Sequence, residues 1–177
     1  LLSVSPAHRW LRALDEARLL AAIVPELEKA RSCARAYYGR GGVLRHTLDA
    51  VERMDLLLER LPAALPGLDS RVRDQLGSWG GPSAPALLRL AVLLHDIAKP
   101  ATARRIEGRL RFFGHDELGA RLTEQLLSKL RFSGRESAGV CACVRHHLRP
   151  GNLAVNREIT PKAIYRFFRD LGDHGVP

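Results

Sequence analysis

The sequence predicts an all-α protein, a helical bundle interrupted by one small β-hairpin. Two observations carry that expectation. Apolar residues recur at intervals of three and four along most of the 177-residue chain, which is the period of one helix face. Only across 102–113 does the pattern change to alternation, around the pair Glu107-Gly108, as in a tight hairpin.

Each element follows from local signals. Trp10, Leu11, Leu14, Leu19 and Leu20 fit one or two short helices. Pro25 opens a further helix running towards Tyr38, because proline suits a first helical turn. Gly39-Arg40-Gly41-Gly42 then breaks the chain. The strongest amphipathic helix spans 43–61, with Val43, Leu44, Thr47, Leu48, Val51, Met54, Leu57, Leu58 and Leu61 on one face. Residues 62–67 are expected to form a loop and 69–76 a weaker helix. The stretch 77–85, rich in Gly, Ser and Pro, is expected to be the least regular. A buried helix runs from Ala86 to Ala98 and is stopped by Pro100. Beyond the hairpin, helices are expected at 116–130 and 137–147, a turn at 149–152, and a last helix from Thr160-Pro161 to about Leu171.

Composition limits the function. The chain is 46% hydrophobic and 27% charged, so it is globular rather than disordered. A formal charge of +9, from 28 Lys plus Arg against 19 Asp plus Glu, suits an anionic partner, either nucleic acid or a phosphorylated small molecule. An arginine-rich codon bias explains the charge equally well. Three cysteines in no disulfide-like pattern point to a reducing, cytoplasmic compartment. Cys141 and Cys143 lie near His146-His147, but residues two apart on a helix point in different directions, which argues against a zinc site there. No apolar run approaches the ~20 residues of a membrane span. The chain is expected to be a fragment of a longer polypeptide.

The chemistry centres on His95-Asp96, which ends the apolar run Leu87, Leu88, Leu90, Ala91, Val92, Leu93 and Leu94. A buried carboxylate without a partner costs several kcal/mol or shifts its pKa, so something must satisfy it. The chain has seven histidines. His8 and His174 lie near its ends and are read as solvated. His46, His115 and the pair His146-His147 each lie at a helix end, where a histidine is unremarkable alone. Together they offer imidazole from four helix ends, beside one carboxylate. Those are the ligands of Zn, Mn, Fe, Co and Ni sites, and packed helices can converge them on one interior point.

This set resembles the HD metal-dependent phosphohydrolase superfamily, through His46, His95-Asp96, His115 and His146-His147. Leu94-His95-Asp96-Ile97-Ala98-Lys99-Pro100 is close to its commonest core motif. The resemblance narrows further. Leu14-Asp15-Glu16-Ala17-Arg18-Leu19-Leu20 and Val24-Pro25-Glu26-Leu27 are similar to the linker region of bacterial tRNA nucleotidyltransferases (CCA-adding enzymes) and poly(A) polymerases. So are His46-Thr47-Leu48-Asp49, Arg111-Phe112-Phe113-Gly114-His115-Asp116-Glu117, Val144-Arg145-His146-His147-Leu148-Arg149-Pro150 and Tyr165-Arg166-Phe167-Phe168-Arg169-Asp170. The resemblance implies a helical neck over 1–40 and an HD domain over 41–177, cut short at its C-terminus. It also implies a nucleotidyltransferase head elsewhere in the same polypeptide, whose Asp-x-Asp motif does not occur here.

By the same resemblance, His46, His95, Asp96 and a later Asp hold one divalent ion (Mn, Ni, Fe, Co, Zn or Mg). Asp96, His115 and His146 or His147 hold a second where one binds. The later Asp is expected beyond Pro177, and Asp170 and Asp173 are the only nearby replacements. Asp96 and Lys99 are the catalytic candidates. Lys99, one turn after His95, is placed to stabilise developing negative charge. Lys99, Arg104, Arg145 and Arg149 are the candidate substrate contacts. The substrates implied are RNA ends, including those of tRNA, and small nucleotides, with 2′,3′-cyclic phosphates foremost. Two other readings compete: a non-catalytic RNA-binding body, and a dNTP or alarmone hydrolase. The last ranks lower because Ile97-Ala98-Lys99 stands where alarmone hydrolases carry an acidic pair.

Overall fold

The computed structural model describes residues 1–155 and 159–172. It is a helical bundle with one two-stranded antiparallel sheet, as the periodicity predicts. Helices α1 (Ala7–Glu16), α2 (Leu19–Ile23), α3 (Glu26–Ser32) and α4 (Arg35–Tyr38) precede the long α5 (Gly42–Glu59). Then come α6 (Leu61–Ala64), α7 (Asp69–Gly80), α8 (Ala84–Leu94) and α9 (Lys99–Thr102). The strands β1 (Arg104–Ile106) and β2 (Arg109–Arg111) lead into α10 (His115–Lys129), α11 (Gly134–His146), α12 (Arg149–Ala154) and α13 (Pro161–Gly172).

One core serves most of these elements. Val43, Leu44, Leu48 and Val51 of α5 meet Leu87, Leu90, Ala91, Leu93 and Leu94 of α8, with Leu126 and Leu127 of α10 and Val140 and Val144 of α11. Leu11, Leu20, Val24, Leu27 and Ala30 from the first forty residues enter the same cluster. A buried ion pair reinforces that attachment. Arg89 Nε of α8 donates to Asp55 Oδ1 of α5 at 2.6 Å, and both side chains are buried. The backbone N–H of His8 donates to Asp55 Oδ2 at 2.8 Å, and Arg89 Nη1 donates to the Leu2 carbonyl at 2.9 Å.

Several local expectations are corrected. The helix expected from Pro25 to Tyr38 is two, because Cys33 is extended and Ala34 takes a left-handed φ of 57°. The break frees the Cys33 carbonyl to accept from Val43 N at 3.1 Å, seating the start of α5 against the end of α3. Only glycine fits at 42, since a Cβ there would collide with the carbonyls of Cys33, Ala30 and Arg31. The expected loop at 62–67 begins with a helical turn, α6, with Pro62 in its first positions. Helix α7 runs four residues beyond Leu76, and a 3₁₀ turn over Gly81–Ser83 carries the chain into α8. The expected turn at 149–152 is the short helix α12, again begun by proline.

The most consequential correction concerns the end of α8. The helix stops at Leu94 rather than Ala98. Pro100 has no N–H to offer the Asp96 carbonyl, so the ladder cannot continue. That carbonyl instead accepts from Lys99 N at 3.0 Å, and Ile97 N donates to the Leu94 carbonyl at 3.1 Å. His95 to Ala98 thus form tight turns between α8 and α9. Among the described residues no helix is long and apolar enough to cross a membrane.

The Asp55–Arg89 pair yields a stability prediction. Burial pushes the Asp55 pKa up, but the donors from His8 and the Arg89 guanidinium together bring it below its ordinary value. Asp55→Asn leaves Arg89 buried without a counter-charge and should cost about 3–5 kcal/mol in urea unfolding at neutral pH. A group with a depressed folded pKa stabilises fully above its unfolded value of about 3.9. The gap between parent and variant should therefore narrow as pH falls below about 4 towards the folded pKa. A gap independent of pH would exclude the pair as its source.

Candidate metal centre

Four helices deliver imidazoles to one buried carboxylate. Asp96, 1% exposed, sits in the turn after α8. His46 Nε2 of α5 lies 3.6 Å from its Oδ2, and His95 Nε2 lies 3.1 Å from the same oxygen. His115 Nε2, at the start of α10, lies 3.4 Å from Oδ1, and His147 Nε2, just past α11, lies 3.7 Å from it. Two overlapping groups result, His46-His95-Asp96 and Asp96-His115-His147, each with its ligand atoms within 4.8 Å of one another.

A shared local device orients three of the rings. His95 Nδ1 is 2.7 Å from the Val92 carbonyl, His115 Nδ1 is 2.6 Å from Phe112 O, and His147 Nδ1 is 2.6 Å from Val144 O. In each case the acceptor is three residues back. A carbonyl only accepts, so each Nδ1 carries the proton and each Nε2 presents a lone pair when the ring is neutral. Backbone carbonyls commonly hold metal-binding histidines in this way.

These residues fit a divalent cation. Neither Asp96 oxygen, though buried, receives an aligned hydrogen bond among the described residues. His115 Nε2 and His147 Nε2 approach to 3.3 Å, where two lone pairs repel unless a proton or a metal lies between them. The donors are nitrogen and carboxylate oxygen, which suit Mn, Fe, Co, Ni or Zn.

The electrostatics agree except at His115, where burial lowers the pKa but Asp96 and the Phe112 carbonyl raise it above the ordinary value. Burial opposes ionisation of Asp96, but His115, His95 and Lys99 together hold its carboxyl far below the usual carboxylate range. Burial lowers the pKa of His46 and of His147, favouring the neutral, ligand form. Burial likewise opposes the charge on Lys99, yet Asp96 raises its pKa, so the ammonium persists. Lys99 Nζ lies 2.7 Å from Asp96 Oδ2 and donates to Tyr38 Oη at 2.8 Å.

Not every candidate joins the centre. His146 lies outside both groups. Arg145 donates to Glu117 Oε2 at 3.1 Å and Arg149 to Asp170 Oδ2 at 2.6 Å, so both are engaged with carboxylates. Asp170 is held by Arg149 and Arg169 and belongs to neither group. Arg104 is exposed on β1, with Nη1 donating to the Ala103 carbonyl. His8 is tied to Asp55 rather than solvated. Asp173 and His174 fall outside the described residues. No cysteine joins either group, and burial pushes the Cys141 and Cys143 thiols up to about 11, away from the thiolate that metals bind.

Two participants are not among the candidate site residues of the sequence. Tyr38 stacks on His46 with ring centroids 4.6 Å apart, brought there by the break before α4. Phe112 supplies the carbonyl that orients His115, and its ring lies 5.4 Å from Lys99 Nζ. A cleft of about 560 Å³ opens beside His95 and His147, lined by Met54, Leu57, Leu88 and Val92.

The fold and the cluster define a helical domain built around a His/Asp centre. A family model described as HD domain matches residues 43–170, and the chain belongs to that family. It is 31% identical over 150 residues to an A-adding tRNA nucleotidyltransferase of Deinococcus radiodurans, covering 84% of this chain and 29% of that protein. It is 42% identical over 93 residues to a CC-adding tRNA nucleotidyltransferase of Thermus thermophilus, covering 51% of this chain and 20% of the relative. A bifunctional uridylyltransferase/uridylyl-removing enzyme of Azospirillum brasilense is 32% identical over 165 residues, 91% of this chain and 16% of its own length. The chain is thus an HD domain related to tRNA nucleotidyltransferases, and it spans less than a third of each of these relatives.

Packing behind the centre is tight at Gly119 of α10. A Cβ there would meet Val144 Cγ1 at 3.2 Å and the His95 carbonyl at 3.8 Å. Gly119→Leu should force α10 from α11 and destabilise by about 1–3 kcal/mol. It should also weaken metal binding by separating His115 from His147. Thermal melts with and without added Mn or Ni check both effects, and a variant stabilised by metal as much as the parent would rule out the second.

Proposed function

We propose that this domain is a metal-dependent hydrolase of nucleotide or RNA-end phosphoesters, of the 2′,3′-cyclic phosphodiesterase or phosphatase type. The observation that carries the reading is the buried Asp96 carboxylate, shared by two histidine groups and flanked by the cation Lys99. In this reading His46, His95 and Asp96 hold one ion, and Asp96, His115 and His147 hold a second. Such ions supply Lewis acidity to a water and to a phosphoryl oxygen.

The chain's own residues do the rest. Asp96 stays ionised at neutral pH and keeps negative charge at the centre. Lys99 has three protons; one goes to Tyr38, and its charge lies beside the carboxylate, where it can attract phosphoryl oxygens. The flanking Tyr38 and Phe112 rings shield that ammonium from water, at 5.2 and 5.4 Å from their centroids. The adjoining cleft lies within the size range of small-molecule sites, about 300–1,000 Å³. The relatives add support: two are tRNA nucleotidyltransferases by name, and the name of the third includes removal of a uridylyl group. A cytoplasmic setting, and a nucleotidyltransferase head in the same polypeptide, belong to the same proposal.

The test combines metal content with activity. The purified protein should carry a divalent metal by elemental analysis, and saturating metal at 100 times its Kd should add about 2.7 kcal/mol of stability. Asp96→Asn should lose the metal and abolish hydrolysis of a 2′,3′-cyclic nucleotide, with helical circular dichroism retained. Lys99→Met should keep the metal but slow turnover by about 100-fold or more. A metal-free parent that hydrolyses none of these esters yet binds tRNA with steep salt dependence would establish the non-catalytic reading instead.

A further inference from the structure

The hairpin beside the centre carries more positive charge than its fold can use. Its register pairs Arg104 with Arg111, Arg105 with Leu110 and Ile106 with Arg109. Opposed residues share a face, and side chains alternate along each strand. Arg104, Arg109 and Arg111 therefore lie on one face with Ile106, while Leu110, partly buried, lies on the other, its N–H donating to Tyr37 Oη at 3.4 Å. All four arginines are exposed. Arg104 directly opposes Arg111, and like charges in that position destabilise a strand pair.

No carboxylate relieves this repulsion. Arg104 and Arg105 donate to the Ala103 and Gly108 carbonyls, and no ion pair engages Arg104, Arg105, Arg109 or Arg111 among the described residues. Some arginines elsewhere, Arg12, Arg31, Arg45 and Arg89 among them, do pair with Asp or Glu, whereas none of these four does. The only acidic residue of the hairpin, Glu107, sits in the tight turn with φ 49° before Gly108 at 74°, and every residue of the hairpin except Leu110 is exposed. Two bare aromatic rings flank the hairpin, Phe113 at 74% exposure and Tyr37 at 61%. Its base adjoins the centre: Lys99 precedes β1 in α9, and Phe112 and His115 follow β2.

We propose that this hairpin binds the phosphodiester backbone of a single-stranded RNA and leads its end to the Asp96 centre. Unpaired arginines flanked by exposed aromatic rings match how single strands are held, by phosphate neutralisation with base stacking. The inference deepens the substrate class proposed for the centre and rests on that reading for the strand's end, but not for the binding itself.

The two can be separated by experiment. Anisotropy of a fluorescein-labelled single-stranded RNA of about ten nucleotides is followed with metal chelated, across a salt series. Arg109→Gln/Arg111→Gln should weaken binding about ten-fold or more, and should lower the slope of log K against log salt by about 1.4. Arg109→Lys/Arg111→Lys should retain the parent's slope. The Gln variant should hydrolyse a 2′,3′-cyclic mononucleotide like the parent. Unchanged affinity and slope in the Gln variant, no RNA binding by the parent, or equal competition from anionic phospholipid vesicles would each overturn the proposal. Hairpin-dependent RNA binding in a parent that hydrolyses nothing would defeat the function proposed for the centre and leave this inference standing.

Discussion

The structure is organised around one carboxylate that cannot reach water. Asp96 is buried and ionised, and a charge in that position must be answered by its surroundings. The answer comes from α5, the turn after α8, the start of α10 and the end of α11, which together bring four imidazoles and one ammonium to it. Helices alone would not place these groups. The interruption of α8 at Leu94 puts His95 and Asp96 into tight turns that lead to Lys99 at the start of α9, so that all three meet at one point rather than spreading around a cylinder.

A second buried charge does a different job. Asp55 and Arg89 join the last turns of α5 to the middle of α8, and the backbone of the N-terminal segment closes the network through His8 and Leu2. Such a pair adds little net stability compared with apolar packing, but breaking it strands a charge. It therefore selects one register between α5 and α8, the two helices that bring His46 and His95 together.

Much of this was legible in the chain, and the exceptions have physical causes. The three-four spacing of α5 and the Glu107-Gly108 turn were visible because each is set by local sequence. The His-Asp pair stood out because polar residues ending an apolar run need a partner. The sequence does not choose between His146 and His147, since adjacent helical residues differ by about 100° and the phase of α11 depends on packing. Val140 and Val144, both buried, continue by three-four spacing to 147, and that phase would have selected His147. Tyr38 gave no signal at all. Its position depends on the left-handed backbone at Ala34, which no residue type there announces. The engagement of Arg145 and Arg149 by Glu117 and Asp170 was equally hidden, because those ion pairs join residues distant in sequence.

The glycine at 42 gives the centre a mechanical character. Carbonyls from the end of α3 press against a position that admits no side chain, and His46 follows one helical turn later on a long, well-packed rod. The opening helices thus meet the rod that carries the imidazole backbone to backbone, with no side chain between α3 and the start of α5 to set their spacing.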